Sequence, residues 1–148
     1  MIKKRLIDVI AVLFIVLFVY TGVSKFLDFE YFKLTIEQAN ILKPIAGFVQ
    51  WIVPLSEIAV AVLLMTKKFR LIGLYASFLL MLGFTAYVGG ILRFSKQLPC
   101  SCGGIIQEMS WMQHLIFNIV FTALAAVAIW IEKHSDTKKA NLTAPIFQ

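Results

Sequence analysis

Residues 71–92 read LIGLYASFLLMLGFTAYVGGIL, a stretch without a single charged side chain. An α-helix rising about 1.5 Å per residue needs about 20 apolar residues to cross roughly 30 Å of hydrocarbon. The stretch has that length, and a helix satisfies its own backbone hydrogen bonds where no water can. Three comparable runs surround it. Leu6 to Ser24 is broken only by Asp8, Ile45 to Met65 contains one ionisable residue, Glu57, and Trp111 to Ile131 carries His114 as its one titratable group. Four such runs in 148 residues are not the pattern of soluble core helices. The expected fold is an all-α integral membrane protein, a bundle of four transmembrane helices over residues 6–24, 45–65, 71–92 and 111–131.

Composition agrees. The chain is 60% hydrophobic and 15% charged, with a mean hydropathy of +0.86, whereas soluble domains are about half apolar and about a quarter charged. A length of 148 residues suits one domain, here residues 1–131, followed by a polar tail over 132–148 that lacks periodicity and is expected to be loose. The net charge of +6 does not point to nucleic acid. Its basic residues stand in short clusters between apolar runs, as topology signals and headgroup contacts do, and form no basic face with interleaved aromatics. The partner implied is the lipid bilayer.

Met1-Ile2-Lys3-Lys4-Arg5 ahead of an apolar run also resembles a signal peptide. The run from Val9 to Val23 is at the long limit for such a peptide, and no A-x-A site follows, so it is read as a retained first helix. Lys3, Lys4, Arg5, Lys67, Lys68, Arg70, Lys133, Lys138 and Lys139 fall on one side of the bundle. Lys25, Lys33, Lys43, Arg93 and Lys96 fall on the other, partly offset by Asp28, Glu30 and Glu37. Positive loops stay cytoplasmic, so both termini are expected inside and the two longer loops outside. In the first of these loops Phe29, Phe32 and Ile36 recur at helical spacing behind Asp28, a candidate N-cap. That predicts a short amphipathic helix between the first two spans, on the outer membrane surface or packed as a cover on the bundle end.

The chain has two cysteines, Cys100 and Cys102, within Leu98-Pro99-Cys100-Ser101-Cys102-Gly103-Gly104, between the third and fourth spans. The charge argument puts them on the oxidising side, where disulfides persist. A bridge needs Cα atoms about 4.4–6.8 Å apart, and an extended chain holds residues i and i+2 at about 7 Å. The backbone must bend to close it, and Pro99, Gly103 and Gly104 suit bending. So small a loop adds little chain-entropy stabilisation, and a strained bridge is easily reduced. Thiol–disulfide exchange, soft-metal ligation and a local brace all fit the pair. Exchange has the strongest physical rationale, because two sulfurs make an incomplete zinc site.

Ser110-Trp111-Met112-Gln113 matches an N-capping box, which starts the fourth helix at Trp111. Trp111, His114 and Asn118 then share a face. His114 is a candidate proton shuttle or thiolate partner and otherwise an interfacial ring. Trp111 reads as an interface anchor, and Asn118 as an interhelical hydrogen-bonding group. Glu57, beside Pro54 and Ser56, is too deep in the second span to face lipid. It reads as a proton acceptor or a hydrogen-bond partner for a quinone headgroup, or as a carboxyl bonded to Tyr20, Thr21 or Tyr87. Lys25 and Arg93, at the outer helix ends, read as snorkelling residues.

Tyr20-Thr21-Gly22-Val23-Ser24-Lys25-Phe26, Pro54-Leu55-Ser56-Glu57 and Pro99-Cys100-Ser101-Cys102-Gly103-Gly104, set in four helices, resemble the MauE branch of the DoxX-like membrane proteins. The resemblance covers roughly Leu6 to Ile131. It implies a redox-associated protein of the bacterial inner membrane that works beside a thioredoxin-like partner, as MauE proteins accompany methylamine dehydrogenase with its disulfide-bearing small subunit. Relatives elsewhere accompany thioredoxin-like reductases without a methylamine enzyme. The sequence therefore leads to a membrane thiol–disulfide protein using Cys100 and Cys102 as catalytic residues, with His114 and Glu57 in support. Glu57, His114 and Asn118 are candidates for contact with a quinone cofactor. The competing reading is a non-catalytic soft-metal transporter or membrane scaffold in which the cysteines are ligands or a brace.

Overall fold

The computed structural model of the chain describes residues 2–38, 43–94 and 110–143. The described residues form helices and contain no strand. Helix α1 is Ile2–Leu27, α2 is Phe29–Gln38, α3 is Ala46–Met65 behind a single 3-10 turn at Lys43–Ile45, α4 is Arg70–Phe94 and α5 is Trp111–Thr143. Four are long and apolar enough to span a bilayer, over Ile2–Leu27, Lys43–Met65, Arg70–Arg93 and Met112–His134. The protein is an all-α multi-pass membrane bundle, as its hydropathy requires.

Each helix extends the apolar run from which it was expected, or nearly matches it. The first continues past Ser24 to Leu27, which brings Lys25 into its last turn. The fourth continues past Ile131 to Thr143, so helix replaces the loose tail expected there. Hydropathy marks where a helix leaves hydrocarbon, whereas residues 132–143 contain neither Gly nor Pro to end one. Pro145 is the first residue that disfavours continuation. At its start α5 has the reciprocal capping box: Ser110 N–H donates to Gln113 Oε1 at 2.9 Å, and Gln113 N–H to Ser110 Oγ at 3.3 Å.

Helices α1, α3, α4 and α5 close a ring, α1 packing on α3, α3 on α4, α4 on α5 and α5 back on α1. The ring is filled by Phe14 and Phe18, stacked at 5.7 Å, with Phe121 edge-on to Phe14 at 5.4 Å. Ile7, Ile10, Leu64, Leu74, Ala125 and Ala128 extend this core. Outward-facing positions are equally apolar, among them Val12, Val16, Ile52, Leu79 and Ile119. Water would penalise such a surface and lipid does not. Hydroxyls within the helices are satisfied locally: Ser77 Oγ donates to Gly73 O at 2.8 Å and Thr85 Oγ1 to Met81 O at 2.7 Å. At the end of the bundle holding the α3–α4 turn, Arg70 pairs with Asp8 at 2.6 Å, which accounts for the one charge in the first apolar run.

Helix α2 exists as expected and lies as a cover on the bundle. Its Phe32 and Ile36 are buried against Ala46, Val49 and Val53, and the Phe29 ring meets Trp51 at 4.8 Å. A single residue, Asp28, separates it from α1, and the Asp28 carbonyl accepts the Phe32 N–H at 3.0 Å.

Helices α3 and α4 approach closely beside their turn. A Cβ on Gly73 would stand 2.9 Å from Leu64 Cδ2 and 3.0 Å from the Leu64 backbone nitrogen, whereas one on Gly89 would meet nothing within 4 Å. Gly73→Ala is therefore expected to destabilise the bundle by about 1–3 kcal/mol through overpacking. Gly89→Ala should be neutral or stabilising by up to about 1 kcal/mol, because helical glycine costs entropy. Reversible unfolding in mixed micelles measures both.

Candidate functional site

A cavity of about 300 Å³ opens inside the end of the bundle formed by the last turns of α1, the start of α3, the later half of α4 and the start of α5, with α2 across it. Its walls are mainly aliphatic and aromatic. Its polar groups are Thr21, Lys25, Glu57, Tyr87, His114 and Asn118.

The centre of this group is an ion pair. Lys25 Nζ donates to Glu57 Oε1 at 2.8 Å and to Oε2 at 3.1 Å, and the two side chains are only 6% and 1% exposed. Local geometry explains how they meet. Helix side chains lean toward their own N-terminus. Lys25 thus leans back into the membrane from the end of α1, and Glu57, on a neighbouring helix entering from that same end, leans out toward it. The helices must also be close. A Cβ on Gly22 would lie 2.9 Å from Ile58 Cδ1 and 3.4 Å from the Pro54 carbonyl oxygen, so glycine permits this approach. Pro54 contributes no backbone N–H inside α3, and Ser56 Oγ donates to the Val53 carbonyl at 2.7 Å in the disturbed turn.

The ammonium is held on other sides too. Its Nζ lies 5.7 Å from the ring centroids of both Phe32 and Phe84, cation–π distances worth about 0.5–2 kcal/mol each, and 3.5 Å from the Thr21 carbonyl. Reading Lys25 as a snorkelling residue is thus corrected. The helix continues through it, and its tip turns inward, because the buried carboxylate and two aromatic faces replace the water that snorkelling would seek. Arg93, read the same way, is exposed at the end of α4. The charged partner of Glu57 is Lys25, and Thr21, one of the partners expected from the sequence, is a further hydrogen-bonding neighbour of the carboxylate. A sequence signal for the pairing was present, since a lone acid in one span and a lone base at the end of another are natural partners.

His114 and Asn118, one turn apart on α5, are both buried and both line the cavity. Asn118 Nδ2 has no hydrogen-bond partner among the described residues, although the Asn118 carbonyl accepts a 2.7 Å bond from Thr122 Oγ1. Glu57, His114 and Asn118, grouped as candidates on the sequence, face one space. Cys100 and Cys102 lie outside the described residues, as does the Trp111 side chain.

The model of the family described as "Methylamine utilisation protein MauE" matches residues 3–131. Comparison with curated proteins and with solved structures yields no match.

Removing one member of a buried pair leaves an uncompensated charge, which costs about 3–5 kcal/mol, whereas replacing both with apolar groups is far milder. Lys25→Met is accordingly expected to destabilise the bundle by about that amount. Adding Glu57→Leu to it should restore most of the loss. A double-mutant cycle by unfolding in mixed micelles reads the coupling directly.

Proposed function

The chain belongs to the MauE family, and from that premise we propose that it serves methylamine utilisation as a membrane thiol–disulfide protein, exchanging electrons through Cys100 and Cys102 with a thioredoxin-fold partner on the extracytoplasmic face. The observation that carries this reading is the pairing of the chain's two cysteines, one residue apart between Pro99 and Gly103-Gly104, within the family-matched residues. Connectivity supports it further. The segment bearing them joins the end of α4 to the start of α5, and His114 lies in the first turn of α5.

The exchange balances as follows. A thiolate of the reduced partner attacks one sulfur of the Cys100–Cys102 bridge. The bridge bond breaks, a mixed disulfide forms, and the released cysteine leaves as a thiolate that takes up a proton. The second partner thiolate then resolves the mixed disulfide. Two electrons have passed to Cys100 and Cys102, and the partner leaves oxidised. The reverse sequence reduces the partner and oxidises this pair. His114 is the group assigned to hold or release the proton at the departing sulfur. Glu57 is assigned a positioning role, since both of its oxygens are engaged by Lys25. A membrane quinone is the second redox partner that would complete a cycle.

The basic clusters support a bacterial inner-membrane location with both termini cytoplasmic, an arrangement in which the Cys100–Cys102 segment is extracytoplasmic. After mild reduction, a membrane-impermeant maleimide should label both cysteines in intact spheroplasts. A reporter fused after Gln148 should be active only in the cytoplasm.

The decisive quantity is the reduction potential of the cysteine couple. Titration in membranes against defined thiol buffers, read by mass-tagged alkylation, should give a value above about −300 mV, the region of exchange-active bridges. Cys100→Ser should then abolish transfer of reducing equivalents between the protein and a thioredoxin-fold partner. A lower potential marks a structural brace and overturns the proposal.

A further inference from the structure

The cavity beneath α2 has a composition that the ion pair alone does not explain. Lys25 and Glu57 neutralise each other, so the space carries no net charge to attract an ion. Phe32, Phe84 and Phe117, with Leu80 and Val88, make its walls apolar. Asn118 nevertheless has an amide donor that meets no acceptor among the described residues, at 2% exposure. A buried donor left unpaired costs about 1–3 kcal/mol, and such groups in native structures call for a partner. His114, one turn away on the same wall, contributes a second polar group.

The volume is about 300 Å³, about twice that of an engineered apolar cavity that accepts benzene, roughly 150 Å³. It falls at the lower end of small-molecule sites, which are mostly apolar with a few convergent polar groups.

The rim shows where an occupant would enter. Leu79 and Gly83 line the cavity yet are exposed on α4, in the middle of a membrane-spanning helix. A Cβ on Gly83 would meet nothing within 4 Å, so the missing side chain leaves an opening there. Exposure at that depth is exposure to lipid.

We propose that this cavity binds a neutral, membrane-dissolved molecule with an apolar body and a carbonyl oxygen, entering laterally past Gly83 and accepting a hydrogen bond from Asn118 Nδ2. The carbonyl could be supplied by a quinone ring or by a lipid ester, which offer the same acceptor. The site does not require Cys100 or Cys102, so its occupancy is measured independently of thiol exchange.

The test uses the full chain in nanodiscs of ether-linked phospholipid, whose tails carry no ester carbonyl. A decyl-substituted benzoquinone, a diacylglycerol and decylbenzene are each added, and retained probe is counted by native mass spectrometry after gentle release. One carbonyl-bearing probe per chain should be retained, with decylbenzene held about tenfold more weakly. The preferred carbonyl probe identifies the source. Asn118→Leu should lower carbonyl-probe retention about tenfold, to the level of decylbenzene. Gly83→Leu fills open space on a helix, so it should fold at least as well as the parent and still reduce retention of the carbonyl probe. Equal retention of decylbenzene, parental retention in either variant, or no retention of any carbonyl probe overturns the proposal. Unchanged helical circular dichroism in both variants verifies that the fold is intact.

Discussion

The Lys25–Glu57 ion pair is the constraint to which the α2-covered half of the bundle is built. Two charges inside a membrane bundle are sustained only if they meet at hydrogen-bonding distance, and here they do so at 2.8 and 3.1 Å. The demand propagates. Helix α1 must continue through Lys25 and not stop before it, α3 must come close enough for Gly22 to pass Ile58, and Phe32 and Phe84 must stand beside the ammonium. The α2 cover is therefore tied to the pair, since Phe32 is at once an anchor of α2 against α3 and a wall for Lys25.

The opposite half of the bundle is simpler. Close packing of Phe14, Ile10, Leu64, Leu74 and Ala128 fills it, and Gly73 lets α4 lie against Leu64. Hydrophobic burial drives little of this inside a bilayer, where lipid tails are as apolar as leucine, so shape fit and satisfied hydroxyls hold these helices together. Buried polar side chains and free volume collect instead where the packing is interrupted, near Pro54, Gly83 and the start of α5. A bundle that is tight at one end and polar and hollow at the other is suited to hold a site there without losing its fold.

Much of this was legible in the linear chain. The four spans follow from run length and hydropathy alone, and the start of α5 follows from the Ser110/Gln113 capping box, because both are local properties. Glu57, His114 and Asn118 stood out as polar groups in apolar runs, and they do share a cavity. The pairing of Lys25 is not legible in the same way, because a position at a helix end suits snorkelling as well as pairing, and linear position does not say which way a flexible side chain turns. The helix beyond Ile131 is hidden for a related reason: hydropathy reports the solvent a residue prefers, not the backbone conformation it adopts.

The class of molecule is readable along the chain: four helices in a membrane, a two-cysteine segment between the third and fourth, and an acid that must be hidden from lipid. These follow from the solvent and from the hydrogen-bonding demands of a single segment. Which base answers that acid, where the cavity lies and which donor in it is unpaired among the described residues emerge only from the packed bundle. Such facts depend on how closely α1, α3, α4 and α5 approach one another, a matter of side-chain shape across positions distant in the chain.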